Sequence, residues 1–249
     1  MIGYPILEKS QTIRCMICAG VALLCALAPL ASSSEYLMTE ILAGASVIEA
    51  REQGNAILWQ FGSIAPAALN IFLLSDVATD PSFRHGPLIR FRMKNPRCML
   101  VQGTASLLIA EMLIAGLSSL SELLAGFLLG WRLDDGSFIA FIAFSALLSC
   151  ISAAVYSMIG SLLARDNQSR SASGFAVILY IVSCMAVASL PSDSLLCRLI
   201  PAGWSFSATA LIAGLEMNPT ALLLALLALS IWFLAATAVF LLFRQRVEV

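Results

Sequence analysis

Six long stretches of this chain consist almost entirely of apolar residues, and they limit what the chain can fold into. They cover residues 15–32, 56–75, 98–118, 138–163, 172–190 and 220–243. A helix that crosses about 30 Å of hydrocarbon needs roughly 20 apolar residues, and each stretch meets that length. Charged residues make up only 12 % of the chain, which excludes an ordinary soluble enzyme, a disordered chain and a coiled coil. The sequence predicts an all-α membrane protein with six transmembrane helices, formed as one transmembrane domain over residues 1–249.

Two further stretches are apolar but do not provide another full span. Residues 119–131 follow directly on the third run, and one helix over 98–131 would be about 50 Å long, too long for one crossing. Residues 192–219 are half apolar and contain several helix-breaking residues, namely Pro201, Gly203, Gly214 and Pro219. We expect both stretches to form interfacial or re-entrant segments on the outer face of the membrane.

The distribution of cations predicts that both chain ends lie in the cytoplasm. With six spans in this orientation, eleven of the 14 cations are on the inner side, in agreement with the positive-inside rule. These eleven are Lys9, Arg14, Arg84, Arg90, Arg92, Lys94, Arg97, Arg165, Arg170, Arg244 and Arg246. A seventh span at 119–131 would weaken this bias. An alternative treats residues 15–31 as a cleaved secretory signal, which would leave five spans.

Sequence motifs for nucleotide binding and for metal-dependent catalysis are missing. The chain has two lysines, Lys9 and Lys94, and neither follows a glycine-rich phosphate-binding loop. Its single histidine, His85, excludes a multi-histidine metal site, and we interpret the Cys15–Cys18 pair as small apolar residues. We therefore expect no catalytic residues, no metal and no cofactor in this chain, and no nucleic-acid partner.

The loop between the second and third runs is basic, apolar and rich in proline. Residues 87–94 can form about two helical turns, with a proline at the first position. This segment comprises Pro87, Leu88, Ile89, Arg90, Phe91, Arg92, Met93 and Lys94. One interpretation is a stop-transfer flank that binds lipid headgroups. The interpretation that we favour is a short amphipathic helix that docks on a cytoplasmic partner, because four large apolar residues in so short a loop need a surface to cover them.

Polar residues within the apolar runs are candidates for a substrate path. Glu111 lies in the middle of the third run, and Ser118 and Glu122 follow on the same helical face. A charge at the bilayer centre costs roughly 3 kcal/mol or more, so such a residue lines a cavity, pairs with a partner or is protonated. The alternative for Glu111 is a protonated side chain bonded to a neighbouring helix, and for Glu122 a position at the outer interface. Asn70 in the second run is a weaker candidate of the same kind.

The fourth run carries a small residue at every fourth position. These residues are Ser145, Ser149, Ala153, Ser157 and Ser161. Such a ridge lets another helix backbone approach closely and therefore predicts helix packing. The spacing leaves open whether the partner helix belongs to this chain or to a second subunit.

Three loops together resemble those of the transmembrane subunit of a type-2 ABC transporter, the ABC-2 permease family in its short six-span form. They are the basic loop 88–97, the polar turn 165–170 before the fifth run, and the segment 200–204 before the last run. The resemblance implies that Pro87–Lys94 is the coupling helix that contacts a separate ATPase subunit. It also implies that 192–219 is a re-entrant hairpin on the outer side.

The resemblance further implies a multi-pass exporter of the bacterial cytoplasmic membrane. Two permease subunits, identical or homologous, would pair in the membrane. Two separate ATPase subunits would bind below them and hold ATP and Mg. The expected substrate is a hydrophobic molecule or a peptide, as in antimicrobial-peptide export or immunity. Two alternatives belong to other classes. One is an ATP-independent secondary transporter or channel that uses Glu111, and the other is a membrane enzyme or assembly factor.

Overall fold

The structure, a computed structural model, describes residues 9–27, 56–75, 96–128, 137–163, 169–189, 199–206 and 219–247. These residues form seven α-helices and no strand. The helices are α1 (Lys9–Leu27), α2 (Ala56–Leu74), α3 (Pro96–Leu128), α4 (Ser137–Leu163), α5 (Ser169–Ser189), α6 (Pro201–Phe206) and α7 (Pro219–Val247). The all-α fold class predicted from the sequence is thereby confirmed for the part of the chain that the structure describes.

Each of the six apolar runs coincides with one long helix. The largest differences are at α1, which begins six residues before the predicted run, and at α3. Residues 119–128 do not form a separate interfacial or re-entrant segment but continue α3, which is 33 residues long. Over the described residues, none of the helices is both long and apolar enough to cross a membrane.

Proline marks the start of three helices. Pro96, Pro201 and Pro219 are the first residues of α3, α6 and α7. Proline is favoured at this position for two reasons. The amide hydrogen that it lacks would have no acceptor within the first turn, and its fixed φ is already helical. Pro66 is the exception, since it lies inside α2.

Helix α4 occupies the centre of the bundle. It contacts α2, α3, α5, α6 and α7, while α1 packs outside it against α2 and α3. All side chains from Ser152 to Met158 are buried, so this part of α4 is covered on every side. Ala153, Ser157 and Ser161 of the predicted ridge are 3 %, 0 % and 0 % exposed. These three ridge positions therefore pack against helices of the same chain. The side chain of Ser145 lies outside the described residues.

Two apolar clusters hold the outer helices against α4. The first joins α1, α2, α3, α4 and α7 and consists of Cys15, Cys18, Leu74, Leu107, Ala110, Ile114, Met158 and Phe240. The second joins α2, α4, α5 and α6 and consists of Ile64, Ile71, Ala153, Tyr156, Ala176, Tyr180, Cys184 and Ala202. Small residues are frequent in both clusters, which lets the helix backbones come close together.

The outward faces of the long helices carry large apolar side chains. On α7 these are Leu223, Leu227, Ile231, Trp232, Leu234, Val239 and Leu242. Helices α1, α3 and α5 have similar outward faces, with Met16, Leu124 and Ile178 each more than half exposed. Among the side chains that the structure describes, Arg14 and Glu111 are the only charged ones, and Glu111 is buried. The described surface therefore carries many large apolar side chains, while Glu111, Ser152, Ser157 and Ser161 lie in the interior.

Gly160 marks a close approach of α4 to α2 and α5, which gives a direct test of the packing. A Cβ atom at this position would lie 2.8 Å from the Ser75 Cβ and 3.1 Å from the Ala176 Cβ. We expect Gly160→Ala to destabilise the fold, because overpacking costs about 1–3 kcal/mol and exceeds the gain of about 1 kcal/mol in helix propensity. Thermal unfolding of the purified protein measures the change.

Gly116→Ala is the matched control, because a Cβ there meets nothing within 4 Å. It should leave the unfolding temperature unchanged or raise it slightly. Equal tolerance of both substitutions would contradict the close packing at Gly160.

Candidate functional site

Polar contacts reach α4 at three successive levels along its axis. Ser161 meets the end of α2, Ser157 meets Glu111 of α3, and Ser152 meets the short helix α6. At 1.5 Å per residue these levels are about 6 and 7.5 Å apart. The polar interior of the bundle is thus organised along one helix.

At the central level, Glu111 is bonded across the α3–α4 interface. Its side chain is 1 % exposed, and its Oε1 accepts a hydrogen bond of 3.1 Å from the Ser157 hydroxyl. The carboxyl group of Glu111 also interacts electrostatically with the buried thiols of Cys15 and Cys18 on α1. A carboxyl buried in apolar surroundings needs such a donor, because leaving it unpartnered is costly. The contact supports the interpretation that Glu111 links neighbouring helices.

At the first level, the C-terminal end of α2 is hydrogen-bonded to three other helices. The Arg14 guanidinium on α1 donates to the Leu73 carbonyl at 2.9 Å. The Ser161 hydroxyl on α4 donates to the Ser75 carbonyl, and the Ser75 hydroxyl donates to the Ser173 oxygen on α5. The last carbonyls of a helix have no partner within the helix, so these contacts satisfy groups that would otherwise be left unpaired.

At the third level, α6 is held in the bundle by its backbone. The Ser152 hydroxyl donates to the Pro201 carbonyl at 2.8 Å, and the Trp232 indole donates to the Leu199 carbonyl at 2.9 Å. Pro201, Ala202 and Gly203 are buried. This part of the chain is therefore not a loose loop.

Tyr156 completes the attachment of α6. Its ring packs edge-to-face on Tyr180 of α5, with the centroids 5.2 Å apart and the ring planes at 74°. Its hydroxyl is hydrogen-bonded to the backbone of Ala202 and to the Ser183 side chain. The Ser183 hydroxyl in turn donates to the Leu179 carbonyl of its own helix at 2.7 Å. The polar tips of these side chains satisfy one another in the interior of the bundle.

The segment 199–203 lies deeper than the sequence suggested. Its partners Ser152, Tyr180 and Trp232 are within a few residues of the midpoints of α4, α5 and α7. We expected a segment that dips only partly below the outer surface. The contacts instead place 199–203 level with the middle of three helices.

Two buried polar atoms have no hydrogen-bond partner among the described residues, Asn70 Oδ1 on α2 and Thr237 Oγ1 on α7. Buried polar groups are normally paired, so each needs a reason. Asn70 was a candidate for the substrate path, and its free oxygen is compatible with that role without testing it. Thr237 was not singled out from the sequence.

The other sequence-based candidates are only partly covered by the structure. The predicted coupling helix, Pro87–Lys94, lies outside the described residues. Ser118 and Glu122 are in α3, and because the helix is continuous they share a face with Glu111, but their side chains lie outside the description. Their part in a substrate path stays a prediction. Over the residues described, no group of three or more His, Cys, Asp or Glu side chains could hold a metal ion.

Sequence reasoning missed the contacts at the end of α2 and the partners of α6. Ser75 follows the last residue of α2, and a serine at a helix end is too common to attract attention. Tyr156 and Trp232 looked like ordinary apolar residues of a span. Ser161 offered a usable signal for the contact at the end of α2. It is the last small residue of the ridge, and it lies at the level where α2 ends. Comparison with protein-family models, curated proteins and solved structures finds no match to this chain.

Substitutions at Glu111 test whether its side chain holds α3 against α4. Gln can accept the same hydrogen bond from Ser157, so Glu111→Gln should change the free energy of unfolding by less than about 1 kcal/mol. Glu111→Ala leaves a cavity and an unpaired hydroxyl, and we expect a loss of about 2–5 kcal/mol, as for other large-to-small changes in a core. Denaturation of both variants measures the difference. If Ala were as stable as Gln, the bond to Ser157 would not hold α3 against α4.

Trp232→Phe tests the attachment of the segment 199–203. The substitution keeps an aromatic ring but removes the donor to the Leu199 carbonyl, a contact worth about 1 kcal/mol. The Gly203 amide donates to the Ile200 carbonyl at 2.9 Å, and we expect its hydrogen exchange to become about fivefold faster. Leu234→Val, on an exposed position of the same helix, serves as the control. Unchanged exchange in Trp232→Phe would show that the indole does not hold the segment.

Proposed function

We propose that this chain is an integral membrane protein of the bacterial cytoplasmic membrane, with six transmembrane helices and both ends in the cytoplasm. The observation that carries this proposal is the inverted distribution of polarity. The outward faces of α1, α3, α5 and α7 bear large apolar side chains, whereas Glu111, Ser152, Ser157 and Ser161 are buried. Large apolar side chains exposed along four helices call for lipid or another protein to cover them.

The arrangement of helix ends supports the predicted alternation of the spans, in which consecutive helices run in opposite directions. In an N-in, six-span topology, Arg14, Ser75, Ser161 and Ser173 all belong to the cytoplasmic ends of their helices. Arg14 is hydrogen-bonded to Leu73, two residues before Ser75. Ser75 is itself hydrogen-bonded to Ser161 and Ser173, so these contacts all lie at one end of the bundle. A five-span chain without the first run would lack the contact of Arg14 with α2.

Within this class, we propose a permease subunit of an ABC exporter that takes its energy from a separate ATPase subunit. The support comes from the loop 87–94, whose alternating cations and large apolar side chains fit a docking helix, and from the lack of a phosphate-binding loop in the chain. ATP and Mg would bind to the partner subunit. A second permease subunit would complete the transporter, and the substrate would be a hydrophobic molecule or a peptide.

The position of 199–203 supports a re-entrant segment before the last span. At membrane depth, backbone groups that are left unpaired at the ends of a short helix must be met by other protein groups. Here the carbonyls of Leu199 and Pro201 receive side-chain donors, and the residues that follow are buried. A segment that returns to the side from which it came fits the outer hairpin that the resemblance implies.

Co-purification tests the dependence on a separate ATPase. The native complex, extracted in mild detergent, should contain an ATPase subunit. Arg90→Glu and Phe91→Ala should each reduce its recovery at least tenfold, because they remove a charge and an apolar anchor from the docking helix, about 1.4 kcal/mol for each factor of ten.

Arg132→Glu is the control, since it reverses a cation on the predicted outer side. It should leave the recovery of the ATPase unchanged. Association that survives both loop variants would contradict the coupling assignment, and a transporter that works without any ATPase would favour the alternative based on Glu111.

A further inference from the structure

The end of α2 is hydrogen-bonded to three other helices. Its last carbonyls receive donors from α1 and from α4, and the Ser75 hydroxyl is bonded to α5. At the same place Gly160 brings the α4 backbone so close that a single methyl group would meet Ser75 and Ala176. Closely packed interiors transmit displacement instead of absorbing it, because they have low compressibility.

The location of this contact gives it a role. Ser75 is the last described residue before the stretch 76–95, which includes the proposed docking segment 87–94. This loop joins α2 to α3, so a force applied to it by a partner would reach the bundle at the start of α3 and at the end of α2. From there it can pass to α4 through Ser161 and to α5 through Ser173.

We propose that Ser75, Gly160, Ser161 and Ser173 form a joint that transmits movement of the docking loop from α2 to the central helix α4 and to α5. These residues are positioning residues: they touch neither nucleotide nor substrate. The inference rests on the proposed function, because it needs an ATPase that moves the loop. It goes beyond that proposal by assigning the path along which the movement enters the bundle.

Hydrogen exchange of the intact complex tests the joint. The permease with its bound ATPase is compared with and without Mg and a non-hydrolysable ATP analogue. In the wild type, the analogue should change the exchange of peptides from the loop 76–95, the last turns of α4 and the first turns of α5. In the double variant Ser161→Ala/Ser173→Ala, the change in hydrogen exchange should persist in the loop. In α4 and α5 the change should be smaller by a factor of at least about five, which is the low end of typical coupling between two sites.

Ser149→Ala is the matched control, because it removes a half-buried serine from the same helix about three turns away. It should retain the full response in α4 and α5. Thermal unfolding and ATPase recovery are measured for every variant, so that a loss of fold or of binding is distinguished from a loss of transmission. If the double variant does not fold, the single variant Ser173→Ala tests the branch to α5 alone.

Three results would overturn the inference. The first is a normal response of α4 and α5 in the variants. The second is loss of the bound ATPase from the folded double variant, which would make the joint part of the docking surface. The third is a wild-type complex without any ATPase, which would overturn the proposed function itself.

Discussion

The bundle depends on the close packing of helices around α4. A helix that is covered on all sides has room only for small side chains where its neighbours approach, and Ala153, Gly160 and Ser161 provide that room. Small residues alone would give contact without selectivity. The hydroxyl groups add direction, because each one reaches a particular acceptor on a different helix, and the α2 end, Glu111 and α6 are thereby fixed at separate levels. The packing and the polar contacts are consequently both provided by small residues of the same helix.

Much of the fold could be predicted from the sequence, because the length and apolarity of each run are local properties. The prediction of a separate segment was wrong over 119–128 for a physical reason. The thickness of a bilayer does not end a helix; a helix ends where the chain offers a stop signal. Residues 119–128 contain no proline, four of the ten are leucine, and apart from Gly126 nothing in them favours an end, so α3 continues to Leu128.

The candidate site could be predicted only in part. Glu111 and Ser157 were each singled out, one as a charge within a span and the other as a member of the ridge, yet nothing in the sequence pairs them. They are 46 residues apart, and their contact depends on the rotation of α3 relative to α4. The contact between Ser75 and Ser161 likewise depends on how α2 lies against α4. Contacts of this kind follow from the three-dimensional arrangement of whole helices, which a residue pattern along one helix does not contain.

The depth of α6 explains why polar and aromatic side chains occur near the middle of apolar helices. A short helix of six residues leaves most of its amide and carbonyl groups without partners of its own. In an apolar environment those groups must be satisfied by side chains, and Ser152 and Tyr156 reach them from α4. Trp232 of α7 binds the Leu199 carbonyl just before the helix. Gly203 and Ala202 are small enough to fit against α4 once the polar groups are paired. The same helix that receives α6 at its middle also receives α2 at its end. Ser161, which binds the end of α2, is therefore only about 14 Å along α4 from Ser152, which binds α6.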